Sequence, residues 1–78
     1  MDWFAVYTQP GKEAFALQNL ANQGFEAYLP QYRKNRRHAR RVDVVAAPLF
    51  PRYLFVRMDP NQQPWRAING TYGVSYLL

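Results

Sequence analysis

The chain has 78 residues, of which 49% are hydrophobic and 17% aromatic, so it forms at most one small domain and is not a disordered polypeptide. Its formal net charge of +5 favours a polyanionic partner, most commonly nucleic acid, although a merely soluble or ribosome-associated basic domain would carry a similar charge. The absence of cysteine excludes disulfides and thiolate metal sites and agrees with a reducing cytoplasm.

The first part of the chain predicts a strand, a helix and a second strand. Residues Trp3–Thr8 are dense in aromatic and β-branched side chains and stop before a proline-glycine turn signal, which is typical of a strand. No proline or glycine interrupts the predicted helix Lys12–Gln23, and Gly24 supplies a left-handed cap. A short strand follows over Phe25–Leu29. The apolar stripe of the helix comprises Ala16, Leu17, Leu20 and Ala21.

The second part predicts mainly strands. Residues Tyr32–Ala46 indicate a hairpin with a polar tip at Asn35–Arg40, and Pro48–Pro51 is predicted to be a rigid, extended linker. The order β-α-β-β-β-α-β predicts an α+β fold with helices packed on one face of a sheet. The remaining predicted elements are the strand Arg52–Met58, a short helix within Pro60–Ile68, and the last strand Val74–Leu78.

Two of the predicted strands are apolar on both faces. One face carries Phe4, Val6, Leu54, Val56 and Met58, and the other carries Trp3, Ala5, Tyr7, Tyr53 and Phe55. Two short helices cover only one of these faces. Either the hairpin folds over the other face, or that face is an exposed surface rich in Tyr and Phe, as in protein-binding hot spots.

The predicted hairpin contains a basic run. Six of the nine residues in Arg33–Arg41 are cationic and none is acidic. The run is either a solvated tip or a contact to a DNA or RNA backbone without sequence readout, since clustered arginines repel one another but suit phosphates. His38 is interpreted as one more polar contact in this run and not as a catalyst.

No pattern indicates an enzyme. The acidic residues are scattered, and there is no glycine-rich phosphate loop, Ser-His or Cys-His arrangement. No cofactor or metal is therefore expected. No apolar run approaches the roughly 20 residues that span a bilayer, and the N-terminus lacks a signal-peptide pattern, so no membrane partner is expected either.

Several segments together resemble the N-terminal (NGN) domain of the NusG family. These are Trp3–Tyr7, Gly11–Glu13, the run Pro48–Val56 and the segment Ile68–Ser75, which follow in the family's order over essentially the whole chain. The Leu-Phe-Pro form of the third segment and the Asn-x-Thr-x-Gly-Val-Ser form of the fourth favour the RfaH-like branch. The resemblance implies an antiparallel four-stranded sheet with a β-hairpin extension and flanking helices.

The resemblance also implies a transcription elongation or antitermination factor that bridges the DNA channel of RNA polymerase and suppresses pausing. Domains of this family bind the clamp helices of the β′ subunit through an apolar patch, which corresponds to Tyr7, Leu49, Phe50, Pro51, Tyr53 and Phe55. The contact to the gate loop of the β subunit corresponds to Pro64, Trp65 and Arg66. RfaH-like members also read non-template DNA, at positions matching Gln9, Asn19, Asn22, Gln23, Thr71 and Tyr72. The basic hairpin is expected to add nonspecific contacts from Arg36, Arg37, Arg40 and Arg41.

Members of this family continue with one more helix, a linker and a small KOW barrel domain. Residues 1–78 are therefore expected to be the NGN domain alone, without its final helix. The last strand is then expected to expose Val74, Tyr76 and Leu78 and to favour dimerisation or strand exchange. The resemblance further implies a bacterial cytoplasmic protein that is associated with the nucleoid through RNA polymerase.

Two other interpretations remain open. The element order, with Tyr53 and Phe55 on a central strand, is similar to an RNA-recognition motif (RRM), in which such aromatic residues stack on single-stranded RNA. That motif's Arg-Gly-Phe glycine is absent here. The second interpretation is a small-molecule or regulatory domain of ferredoxin-like order, for which the chain has no supporting glycine-rich turn.

Overall fold

The computed structural model describes residues 1–78 and confirms the predicted α+β fold. Strands β2, β5, β1 and β6 form, in that order, one antiparallel four-stranded sheet, and β3 and β4 form a separate two-stranded sheet. The strands are β1 (Asp2–Thr8), β2 (Glu26–Tyr28), β3 (Gln31–His38), β4 (Arg41–Pro48), β5 (Tyr53–Met58) and β6 (Val74–Leu77), and the helices are α1 (Glu13–Asn22) and α2 (Arg66–Asn69).

The core lies on the face of the four-stranded sheet that the helices cover. Helix α1 connects β1 to β2, and both strands pair with β5 between them, which makes a split βαβ unit. In the β1–β5 register, Phe4 lies opposite Val56 and Val6 opposite Leu54, so the predicted alternation is confirmed. The buried core consists of Val6, Ala16, Leu20, Phe25, Leu29, Leu54, Val56, Met58, Ile68 and Val74.

Helix α1 packs on the sheet through Ala16 and Leu20, which are fully buried. After the helix, the chain turns through Gly24 with a φ of +89°, the left-handed conformation predicted for this glycine. Ala21, predicted on the buried stripe, is instead exposed. It lies about 100° around the helix from Leu20, beyond the strip that the sheet covers. Neither α1 nor α2 is long and apolar enough to cross a membrane.

A tight turn, and not the predicted rigid extended linker, joins β4 to β5. Strand β4 continues through Pro48, and the amide of Tyr53 donates to the carbonyl oxygen of Phe50 at 3.0 Å. The central residues are Pro51 and Arg52, and Arg52 has a φ of +72°. A proline followed by a residue of positive φ is typical of a type II turn. Proline fixes only its own φ, so the prolines of this segment did not reveal its change of direction.

A β-bulge in β6 decides which of its side chains reach the core. The pairing with β1 shifts between Val74 and Tyr76, so Ser75 is an extra residue in the strand. Val74 is buried and Leu77 packs against the core, whereas Tyr76 is exposed. The prediction that Val74 is exposed together with Tyr76 and Leu78 is therefore wrong for Val74, because a regular alternation does not reveal a bulge.

The β3–β4 hairpin projects from the body of the domain. Its strands are joined by Ala39 and Arg40, whose φ values of 47° and 68° are typical of a type I′ turn. The predicted polar tip, Asn35–Arg40, is too wide, because Asn35 pairs with Val44 within the ladder. Every residue of β3 is exposed, and the molecule measures 51 Å along its longest axis against 21 and 20 Å along the others. The hairpin therefore does not cover the second face of the four-stranded sheet.

Candidate protein-binding face and nucleic-acid-binding surfaces

The face of the four-stranded sheet opposite the helices is an open surface of aromatic side chains. The ring of Tyr7 lies between those of Tyr53 and Tyr76, with centroids 5.2 Å from each. Phe50 packs edge-on against Phe55 with a centroid distance of 6.1 Å. The strand register places two further aromatic residues on the same face, Trp3 of β1 and Tyr28 of β2. We define the open aromatic face as Trp3, Tyr7, Tyr28, Phe50, Tyr53, Phe55 and Tyr76, all of them at least partly exposed.

The open aromatic face contains four of the six residues predicted to bind RNA polymerase. Leu49 and Pro51, the other two, lie in the adjoining turn and are exposed. The structure adds three residues that the predicted site lacked, of which Trp3 is evident from the alternation along β1. Tyr28 joins the face because it lies opposite Phe55 in the β2–β5 register, and Tyr76 joins it through the bulge. The four shared residues are Tyr7, Phe50, Tyr53 and Phe55.

Arg52 connects the tight turn to helix α1 and to the open aromatic face. Its backbone N–H donates to the Glu13 carboxylate at 2.9 Å, and its Nε donates to the carbonyl oxygen of Thr8 at 3.1 Å. Its guanidinium lies over the ring of Tyr7, 4.0 Å from the centroid. Together these contacts offset the left-handed backbone of Arg52, which costs a residue other than glycine about 1–2 kcal/mol. Tyr7 is thereby fixed between its aromatic neighbours and a cation.

A second surface joins the end of α1 to the turn before β6. The side-chain amide of Asn19 donates to the carbonyl oxygen of Tyr72 at 3.0 Å, and that of Gln23 donates to Oγ1 of Thr71 at 2.7 Å. The Thr71 hydroxyl in turn donates to the carbonyl oxygen of Ala67 at 2.8 Å. Thr71 is only 5% exposed, and its role is to position the side chain of Gln23. Tyr72, in contrast, is 81% exposed. We define the polar amide surface as Gln9, Asn19, Asn22, Gln23, Thr71 and Tyr72.

The polar amide surface depends on a close approach between the turn and the helix. A Cβ atom on Gly73, which has a φ of +92°, would lie 3.0 Å from the backbone nitrogen of Ala16. The carbonyl oxygen of Gly73 accepts a hydrogen bond from the N–H of Gln9 at 2.8 Å. This bond holds the end of β1 beside the turn. Asn22 is exposed on α1, and its Oδ1 accepts from the amide of Gln18 at 3.0 Å. The residues predicted to read DNA are therefore assembled from three separate parts of the chain.

The segment Pro64–Arg66, predicted to contact the polymerase gate loop, leads into α2 and is exposed. The guanidinium of Arg66 lies 5.4 Å from the ring centroid of Trp65. Because α2 buries Ile68 in the core, this segment belongs to the helical side of the sheet and is separate from the open aromatic face. The chain contains no group of three or more His, Asp or Glu side chains placed to hold a metal ion.

The cations of the hairpin do not form a single patch. In the β3–β4 register, Arg36 lies on one face of the hairpin and Arg37 on the other. Arg41 lies on the face of Arg36, and Arg40 is in the turn. The four arginines predicted to bind nucleic acid therefore point to different sides of a projecting ribbon. We define the basic ribbon as residues 31–48.

The domain is thus a small α+β unit with an uncovered aromatic sheet face and a projecting basic ribbon. A family model described as "Transcription termination factor nusG" matches residues 1–78. The chain is also 31% identical over 91 residues to the transcription termination/antitermination protein NusG of Thermus thermophilus, an alignment that covers 96% of this chain and 49% of that relative. The chain therefore belongs to the NusG family, a family of transcription factors, and spans about half the length of this relative.

Proposed function

We propose that this domain belongs to a transcription elongation and antitermination factor of the RfaH-like branch and binds the β′ clamp helices of RNA polymerase. The open aromatic face is the binding surface in this proposal. The observation that carries it is that the projecting hairpin leaves this face uncovered. Contiguous apolar surface is uncommon on small soluble domains and marks sites of association.

The chemistry of the open aromatic face suits a pair of protein helices. Tyrosine and phenylalanine bury large areas at a small cost in side-chain entropy, and both are enriched at protein–protein interfaces. Arg52 and the neighbouring tyrosines hold Tyr7 in place, and Phe50 is held against Phe55. A surface that is already ordered loses less conformational entropy on association, which favours affinity.

The proposed mechanism is bridging, in which no covalent bond is made or broken. The open aromatic face binds the clamp helices, while Pro64, Trp65 and Arg66 contact the gate loop of the β subunit. Support comes from the location of these three residues on the helical side of the sheet, away from the open aromatic face. A domain with contacts on two sides can close the DNA channel and so suppress pausing.

We further propose that the polar amide surface contacts non-template DNA. The exposed ring of Tyr72 is available to stack on an unpaired base, a contact that is tolerant of sequence. Asn19 and Gln23 hold the backbone of the turn that presents this ring, and Gln9 and Asn22 are exposed beside them. The arginines of the basic ribbon, Arg36, Arg37, Arg40 and Arg41, add phosphate contacts in this proposal.

An RRM-type function would use the same face differently, with Tyr53 and Phe55 stacking on RNA bases. Membership of the NusG family favours a protein partner on this face. The two functions differ in their ligand, so a binding experiment separates them.

The experiment compares Phe55→Ala with Leu54→Ala. Phe55→Ala is expected to cost about 2 kcal/mol or more of affinity for isolated clamp helices while leaving the thermal melt nearly unchanged, because its side chain lies outside the core. Leu54→Ala is expected to lose about 2–5 kcal/mol of stability, because Leu54 is fully buried.

A short single-stranded RNA serves as the second ligand. A loss of RNA affinity of about 1–3 kcal/mol in Phe55→Ala, without any binding to the clamp helices, would support the RRM function instead. If Phe55→Ala unfolded the domain as severely as Leu54→Ala, the aromatic face would be core and the proposed site would be wrong.

A further inference from the structure

The whole net charge of the protein lies on the basic ribbon. Outside residues 31–48, four cationic side chains balance four acidic ones, so the body of the domain is neutral. The ribbon itself carries six cations and one acid, which accounts for the net charge of +5. Because the charge is confined to one projecting arm, the arm alone attracts a polyanion over a distance. The cations are Arg33, Lys34, Arg36, Arg37, Arg40 and Arg41, and the acid is Asp43.

The strand register divides these cations between two faces. We call one the valine face, because Arg33 and Arg37 share it with valines, and the other the lysine face, with Lys34, Arg36 and Arg41. All five of these side chains are exposed. A ribbon that lay flat on one side of a nucleic acid would leave the cations of its far face without phosphates. Cations on both faces suit a ribbon that lies within a groove, with base edges on one side and phosphate backbones along both rims.

The valine face carries apolar surface that a solvated tip does not need. Val42 and Val44 are 60% and 61% exposed, and no other element of the domain covers them. They lie opposite Arg37 and Asn35, so apolar and polar side chains alternate across the two strands. In the major groove of DNA, base edges present hydrogen-bonding groups together with the methyl group of thymine. A mixed apolar and cationic face matches that composition.

We propose that the basic ribbon inserts into the major groove of double-stranded DNA, with the valine face toward the base edges. The lysine face then points out of the groove, where its long side chains reach the phosphates along both rims. The proposal rests on the phosphate contacts proposed above for the arginines of the basic ribbon. It narrows the ligand of the ribbon from nucleic acid in general to a B-form DNA duplex. The B-form major groove is about 12 Å wide and admits a two-stranded β-ribbon, whereas that of A-form RNA is deep and narrow.

The first test measures binding of the 78-residue protein to a DNA duplex of about two helical turns, to its single strands and to the RNA duplex of the same sequence. Fluorescence anisotropy over a series of salt concentrations gives the affinity and its salt dependence. The DNA duplex is expected to bind most tightly. Equal or tighter binding of the RNA duplex, or of a single strand by a Tyr72→Ala variant, would overturn the proposal.

Two double variants, each removing two positive charges, then separate the faces. Arg33→Ser with Arg37→Ser alters the valine face, and Lys34→Ser with Arg36→Ser alters the lysine face. Each is expected to lower the affinity for the duplex, and the lysine-face variant is expected in addition to reduce the slope of log affinity against log salt by roughly 0.9 per lost phosphate contact. An unchanged affinity in either variant would show a one-sided contact and overturn insertion into a groove.

The third test replaces thymine by deoxyuridine in the duplex, which removes only a methyl group from the major groove. Affinity is expected to fall by up to about fourfold per contacted methyl group. A protein with Val42→Ser and Val44→Ser is expected to lose this discrimination. If the unmodified protein bound both duplexes equally, the valine face would not meet the base edges.

These outcomes are separable from failure of the proposed polymerase contact. None of the ribbon variants alters the open aromatic face, so their affinity for isolated clamp helices is expected to stay unchanged. Loss of duplex binding with clamp binding intact would confine the effect to the ribbon. Thermal melts provide the control for folding, since none of the substituted residues belongs to the core.

Discussion

The backbone N–H of Arg52 donates to the buried carboxylate of Glu13 across 2.9 Å, although the two residues are 39 positions apart in the chain. This contact ties the first turn of α1 to the tight turn that precedes β5. The same turn carries Phe50, which packs on Phe55 in the open aromatic face. Glu13, on the helical side of the sheet, therefore supports the geometry of the open aromatic face on the other side.

Replacing Glu13 by alanine is expected to lower the free energy of unfolding by about 1.5–3 kcal/mol, since a hydrogen bond to a charged group is lost. Arg52→Gly is the matched control, because it keeps the backbone N–H and removes the left-handed strain while losing the guanidinium contacts. These two effects largely cancel, so a change below about 1 kcal/mol is expected. Urea denaturation measures both variants, and a larger loss in Arg52→Gly would show that the guanidinium holds the turn.

Gly73→Ala is expected to destabilise the domain by about 2–5 kcal/mol. A Cβ there would lie 3.0–3.1 Å from atoms of Ala16, so overpacking adds to the cost of a φ of +92°. Gly24→Ala is the control, because Gly24 has a φ of +89° but open space around it, and only the backbone cost of about 1–2 kcal/mol applies. Denaturation curves that shifted equally for the two variants would contradict a close approach at Gly73.

Tyr72→Ala is expected to weaken binding of a single-stranded DNA oligonucleotide by about 1–3 kcal/mol, through loss of one stacked base. Stability should be retained, because the Tyr72 side chain is exposed and Asn19 bonds to its backbone carbonyl oxygen. Tyr72→Phe keeps the ring and should bind as the unmodified protein does. Equal anisotropy titrations for all three proteins would remove Tyr72 from the DNA-binding surface.

The free edge of β6 is expected to support dimerisation or strand exchange of the 78-residue chain. This strand pairs with β1 on one side only, and Tyr76 and Leu78 are exposed. Unpaired edge strands recruit other chains, and a lysine placed on an edge opposes this. Ser75→Lys should therefore shift the protein toward monomer. Light scattering that reported a monomer across the micromolar range for the unmodified protein would contradict the prediction.

Local sequence determined the features that depend on residues close together in the chain. The alternation along β1 and β5 separated the core face from the aromatic face, because side chains alternate with a period of two wherever a strand is regular. The left-handed glycine after α1 and the α+β class followed in the same way from turn residues and element order. The run Pro48–Val56 carried the most specific resemblance to the NusG family. The match of the family model and the similarity to NusG of Thermus thermophilus confirm that the chain belongs to this family.

Only the tertiary structure decided the features that require partners distant in sequence. The bulge at Ser75 is visible only once β6 pairs with β1, and it moves Val74 into the core and Tyr76 onto the open aromatic face. The direction of the turn at Arg52 depends on a carboxylate from α1, which no local pattern around residues 48–52 encodes. Likewise, the hairpin projects, and does not cover the sheet, because its strands pair only with each other. Periodicity fixes which way a side chain points along its own strand, whereas pairing between distant strands fixes what that side chain meets.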